Sequence, residues 1–114
     1  MRKSLTENRI LKRKTDIDRI FKAGKRSSLS CFKVLAVVND LSYSRLVVIP
    51  VRKFGNSVQR NHIRRQIKEI WRTNQERIPS GYDFAVVVYP DNRLTYRDKE
   101  ERLLELFVKV PVRS

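Results

Sequence analysis

Residues 55–72 read GNSVQRNHIRRQIKEIWR and superimpose two patterns. Ile63, Ile67, Ile70 and Trp71 recur at i, i+4, i+7 and i+8, the spacing of one face of an α-helix. Asn61, Arg64, Arg65, Lys68 and Arg72 fall on a separate arc of the same wheel, and Glu69 is the only acid in the stretch. Gly55 permits a tight turn, and Asn56 or Ser57 can cap the helix that follows. The pattern predicts a helix over 57–72 that packs its isoleucines on a sheet and presents a cationic stripe to solvent.

Outward from this helix lie two strands. Upstream, RLVVIPV (45–51) is rich in β-formers, and Pro50 marks an edge, a bulge or a strand end. RKFGNS makes the loop between them and adds Arg52 and Lys53. Downstream, after the linker NQERIPSGY, DFAVVVY (83–89) is almost continuously apolar, as expected of a central strand covered on both faces. Strand, helix and strand form a βαβ unit.

The flanks complete a small domain. TDIDRIFKAG reads as a first helix, with Thr15 as cap, Asp16 and Asp18 in the first turn, Ile17, Ile20 and Phe21 on one face, and Gly24 as stop. KRSSLS reads as a polar connector, FKVLAVV (32–38) as a strand and NDLSYS as a turn. Thr95 and Asp98 resemble a capping box, Leu103, Leu106, Phe107 and Val110 mark a buried face, and Pro111 should end the last helix. The expected fold is an α/β (α+β) two-layer sandwich, a single domain over 1–114 with helices packed on one small sheet.

Composition narrows the function. Lys and Arg number 26 against 12 Asp and Glu, a net charge of +14. Self-repulsion on this scale suits a polyanionic partner. Nucleic acid is the first candidate; a membrane surface is disfavoured because the apolar side of helix 57–72 is needed by the sheet. No apolar run approaches the roughly 20 residues of a membrane span, and no h-region follows the basic N-terminus, so no signal peptide is expected. The single cysteine, Cys31, excludes an internal disulfide and fits a cytoplasmic protein. Catalytic sets do not assemble. His62 is the only histidine, no zinc-ligand spacing occurs, and the acids are scattered: Asp16 and Asp18 at a helix start, Asp91 and Asp98 at a turn and a cap, Glu100 and Glu101 on a solvated face. No catalytic residue and no protein metal site is expected. Phe21 and Phe32 suit either core packing or stacking on unpaired bases. These features point to a nucleic-acid-binding protein; a structural RNA-binding protein, such as a ribosomal component, is an alternative that composition cannot separate.

The register of KFGNSVQRNHIRRQIKE (53–69) is more specific. It resembles the motif K-x-G-N-A-V-x-R-N-x-x-K-R-x-x-R-E of bacterial ribonuclease P protein subunits. RILKRKTDIDRIFKAGKR and GYDFAVVV are similar to that family's first helix and last strand. The resemblance implies a four-stranded mixed sheet with about three helices and a left-handed βαβ crossover. It implies a monomeric, non-catalytic subunit of an endoribonuclease that removes the 5′ leader of precursor tRNA. The partner is a catalytic RNA that holds the Mg²⁺ cofactor. By the same resemblance Arg52, Lys53, Asn56, Arg60, Asn61, His62, Arg64, Arg65 and Lys68 contact that RNA. A cleft between the first helix and the sheet, with Ile17, Phe21, Phe32, Lys33 and Leu35, takes the leader. The chain departs from the family pattern at His62 (usually Arg), Ile17 (usually Phe), Leu35 (often Tyr) and Lys68 (usually Arg).

Overall fold

The computed structural model describes residues 9–112. The elements are α1 (Lys14–Ala23), β1 (Lys25–Leu29), β2 (Phe32–Val38), β3 (Arg45–Pro50), α2 (Ser57–Thr73), β4 (Tyr82–Val88) and α3 (Tyr96–Val112). Short 3₁₀ turns lie at Arg52–Phe54 and Gln75–Arg77. The sheet order is β1-β2-β4-β3. β2 pairs antiparallel with β1 and β4, whereas β3 and β4 are parallel neighbours joined through α2, which is the expected βαβ unit.

Strand alternation divides the apolar residues between two faces. Phe32, Val34 and Ala36 of β2, Leu46 and Val48 of β3, and Phe84, Val86 and Val88 of β4 point at α2 and α3. There they meet Ile63, Ile67, Ile70 and Trp71, and Leu103, Leu106, Phe107 and Val110. At the centre Trp71, Phe84 and Phe107 meet edge to face, with ring centroids 5.2–5.3 Å apart. This layer of helices on the sheet is the sandwich. On the other face Leu35, Ala85 and Val87 are covered by Ile20 of α1 and by Leu11, with Ile17, Val37, Val47 and Val51 at the margin. Both faces of β4 are therefore buried, as its apolar run predicted. β3 is an edge strand, and Pro50 closes it. Near its start Ile10 bridges to Leu46 in parallel, and Leu11 N donates to Leu46 O at 2.8 Å.

Four local expectations are corrected. KRSSLS is not a connector, because Lys25–Leu29 forms β1. It turns into β2 through Ser30 and Cys31, with Ser30 at a φ of 55° and Leu29 opposite Phe32. A polar edge strand has no apolar alternation to announce it. Thr15 does not cap α1: the helix begins at Lys14, and Arg13 stands at the N-cap without a side-chain bond. That start leaves Asp16, but not Asp18, in the first turn. Gly24 does follow α1, but with an ordinary φ of −72°. What excludes a side chain there is space, since a Cβ would lie 2.4 Å from Ile20 O. Pro111 lies inside the last turn of α3, which reaches Val112. At that position it forgoes one hydrogen bond without halting the helix. The Thr95–Asp98 box is present, with Asp98 N donating to Thr95 Oγ1 and Thr95 N to Asp98 Oδ2, both at 3.1 Å.

Candidate nucleic-acid interface

The site starts where β3 ends. Val51 N donates to Val88 O at 2.9 Å, a last tie to the sheet, and the chain then turns through Arg52–Phe54. Phe54 N donates back to Val51 O at 2.9 Å. Gly55 has a φ of 152°, and a Cβ there would fall 2.1 Å from Gln59 Oε1. That glutamine oxygen accepts from Asn56 N, while Asn56 Oδ1 accepts from Gln59 N, both at 2.9 Å. This capping box starts α2. Asn56 is thus committed through its side-chain oxygen to the helix cap.

Along α2 the predicted residues separate into distinct surfaces. Arg65 is exposed, Lys68 is half-exposed, and neither has a protein partner among the described residues; the same holds for Arg52 and Lys53, exposed in the preceding turn. Arg64 donates to the neutral side chain of Asn61 at 3.1 Å, and no acid pairs with it among the described residues. Arg72 instead grips Glu69 through Nε at 3.1 Å and a terminal nitrogen at 2.5 Å. That hydrogen bond holds the Glu69 carboxyl below its ordinary range. The stripe is therefore Asn61, Arg64, Arg65 and Lys68, with Arg72 largely neutralised.

Arg60 and His62 do not share that arc. Arg60 falls seven residues before Ile67, on the side of the helix that faces the sheet. It is half-buried and donates to Val51 O at 2.6 Å and Pro50 O at 3.2 Å. His62 lies on the opposite flank, where it lines a groove of about 690 Å³ with Phe54, Val58, Gln66, Pro90 and Lys99.

The cleft residues are only partly brought together. Ile17 and Leu35 belong to the cluster beneath α1, and Lys33 shares Leu35's face of β2. Leu35 is 0% exposed, so it supports the face without lining an open cleft. Phe21, at 38% exposure, presents its ring to solvent. Phe32 is corrected: it is 1% exposed and points into the α2–α3 core, since adjacent strand residues face opposite ways. It has no surface on which a base can stack.

Sequence inspection missed the polar cluster that fixes α1. Asp83 on β4 is wholly buried. It accepts from Arg45 Nε at 2.8 Å and a second Arg45 nitrogen at 2.7 Å, and from Asn39 at 2.9 Å. Arg19 of α1 approaches to 3.6 Å, and Asp16 of α1 lies 3.7 Å from Arg45. The bond to Asp83 pushes the Arg45 pKa further up. The signal was a lone acid opening an apolar strand. Elsewhere, burial and then Asp91 raise the Cys31 thiol above its ordinary range. Among the described residues no three His, Cys, Asp or Glu side chains gather where they could hold a metal. No described helix is long and apolar enough to cross a membrane.

The Ribonuclease P family model matches residues 5–111. The chain belongs to the ribonuclease P protein family. It is 36% identical over 117 residues to the ribonuclease P protein component of Thermotoga maritima, an alignment covering 96% of this chain and 98% of that one. A stretch of 77 residues is 43% identical to the component from Petrotoga mobilis, covering 68% of this chain and 65% of that protein. In three dimensions it is similar to the RNase P protein from Thermotoga maritima, with a TM-score of 0.80 and 33% identity over 91% of this chain and 97% of the other. The RNase P protein of Staphylococcus aureus gives a TM-score of 0.79 at 27% identity, over 90% and 96% of the two chains. The mixed four-stranded sheet and three helices are those of the ribonuclease P protein fold.

Proposed function

We propose that this protein, the protein component of ribonuclease P, lays its α2 stripe and the Arg52–Lys53 turn against the catalytic RNA, leaving the α1 face for the 5′ leader of precursor tRNA. The observation that carries the proposal is the row of cations without acidic partners among the described residues: Arg52, Lys53, Arg64, Arg65 and Lys68. Each phosphate that such a group neutralises releases counterions, which drives association and makes it salt-sensitive. The arginines add a fork that matches phosphate oxygens. Phe21, Ile17 and Lys33 offer an aromatic edge, an apolar side and a charge for an unpaired strand.

The protein's part is electrostatic. Two RNAs brought together repel through their phosphates, and the stripe offsets that repulsion while the α1 face aligns the leader. Mg²⁺, held mainly by the RNA under this proposal, would supply charge stabilisation and water activation for phosphodiester cleavage. The protein acts as a monomer in the cytoplasm under this proposal. Family membership does not favour the ribosomal alternative.

The test is precursor tRNA cleavage at low Mg²⁺ with the protein, a bacterial ribonuclease P RNA, or both. Cleavage at the mature 5′ end only by the mixture is expected. Cleavage by the protein alone, or no gain from adding it, would overturn the proposal.

A further inference from the structure

Arg60 stands in the middle of the basic motif, yet its guanidinium turns away from the cationic stripe. It reaches back across the turn to the carbonyls of Pro50 and Val51, at 3.2 and 2.6 Å. These are consecutive acceptors at the point where β3 leaves the sheet. Two donors on one planar fork meet two adjacent carbonyls, a geometry a lysine cannot copy. Val51 O also accepts from Phe54 N at 2.9 Å. Both of its lone pairs are therefore used, and it becomes the hub of the turn. Arg52 and Lys53 lie between the hub and Phe54, and the Asn56–Gln59 box closes the far side. The turn is braced at both ends, so the backbone that carries the two cations at its tip is already ordered, a cost that binding then need not meet.

We infer that Arg60 is a positioning residue: it clamps the Val51–Phe54 turn so that Arg52 and Lys53 meet RNA phosphates, and takes no phosphate itself. This rests on the reading of α2 and its leading turn as the RNA-facing edge. A residue that neutralises a phosphate and one that braces a turn differ in their salt signature. The first contributes a slope of about 0.7–0.9 to the dependence of log affinity on log salt; the second contributes affinity without slope.

The experiment measures binding to a bacterial ribonuclease P RNA across a salt series for the full chain and for Arg60→Ala, Arg60→Lys and Arg65→Ala, with Arg60→Ala also placed in an Arg52→Ala/Lys53→Ala background. Circular dichroism checks that each variant is folded at the assay temperature. Arg60→Ala should weaken binding about tenfold, within the range of coupling between contacting residues, with its slope unchanged. Arg60→Lys should fail to restore affinity although it restores charge. In the Arg52→Ala/Lys53→Ala background Arg60→Ala should cost nothing more. A slope reduced in Arg60→Ala and restored by Arg60→Lys, or losses that simply add, would make Arg60 a phosphate contact and overturn the inference. Arg65→Ala separates the two levels. If it lowers the slope, the interface reading stands whatever Arg60 does; if it leaves the slope unchanged, that reading falls and the inference with it.

Discussion

Replacing Asp83 by Asn keeps the volume of the side chain but removes a buried charge. In the native fold that carboxylate accepts three close hydrogen bonds, two from Arg45 and one from Asn39, and has no exposed surface. Removing one partner of a buried pair costs about 3–5 kcal/mol, because the other charge is left uncompensated. Here the survivor is Arg45, whose side chain is 21% exposed and keeps Asp16 at 3.7 Å. Water and Asp16 recover part of the loss, which places the expected destabilisation near the low end, about 3 kcal/mol. With an m-value of about 2 kcal/mol per molar urea, the midpoint should fall by about 1.5 M at constant m. The complementary variant, Asp83→Leu with Arg45→Met, should regain most of that stability, since apolar replacements of buried pairs are often neutral. Amide exchange within α1 should rise more than in α2, because Arg19 loses the carboxylate that it approaches. A loss below about 1 kcal/mol, the value of an exposed bridge, would refute the claim that this cluster docks α1.

Three further outcomes are expected. Arg65→Ala combined with Lys68→Ala should lower the salt slope of RNA binding by about 1.4–1.8, with little change in the urea midpoint. Gly55→Ala should cost about 1–2 kcal/mol in urea unfolding, because the new Cβ meets Gln59 Oε1 and opens the capping box. Cys31, its thiol raised by burial, should react slowly with iodoacetamide in native protein near neutral pH and quickly once urea unfolds the chain; equal rates in both states would contradict its placement.

Helix α2 was legible because Ile63, Ile67, Ile70 and Trp71 keep one helical period, and all four lie in the core. β4 was legible as a central strand for a similar reason. β1 was not, because KRSSL packs only Leu29 against the core and earns its place by backbone pairing with β2. The cation stripe could be read from the wheel, and so could the outlying positions of Arg60 and His62, but a motif read as a string hides on which side of the helix each residue falls. Phe32 illustrates the same loss: strand alternation separates it from Lys33, whereas resemblance groups them. The Asp83 cluster joins residues far apart in the chain, so no local pattern announces it.

The edge strand β3 has a consequence for how the chain behaves in a crowded solution. An open strand edge is a template on which another chain can add a strand, and strongly cationic proteins concentrated on RNA would meet such edges often. Near its start the outer edge is occupied by Ile10 and Leu11. At its end Pro50 has no N–H to offer, and its carbonyl and that of Val51 are taken by Arg60. Few backbone groups remain at that end for a foreign strand to recognise, which disfavours edge-to-edge strand addition beside the Arg52–Phe54 turn.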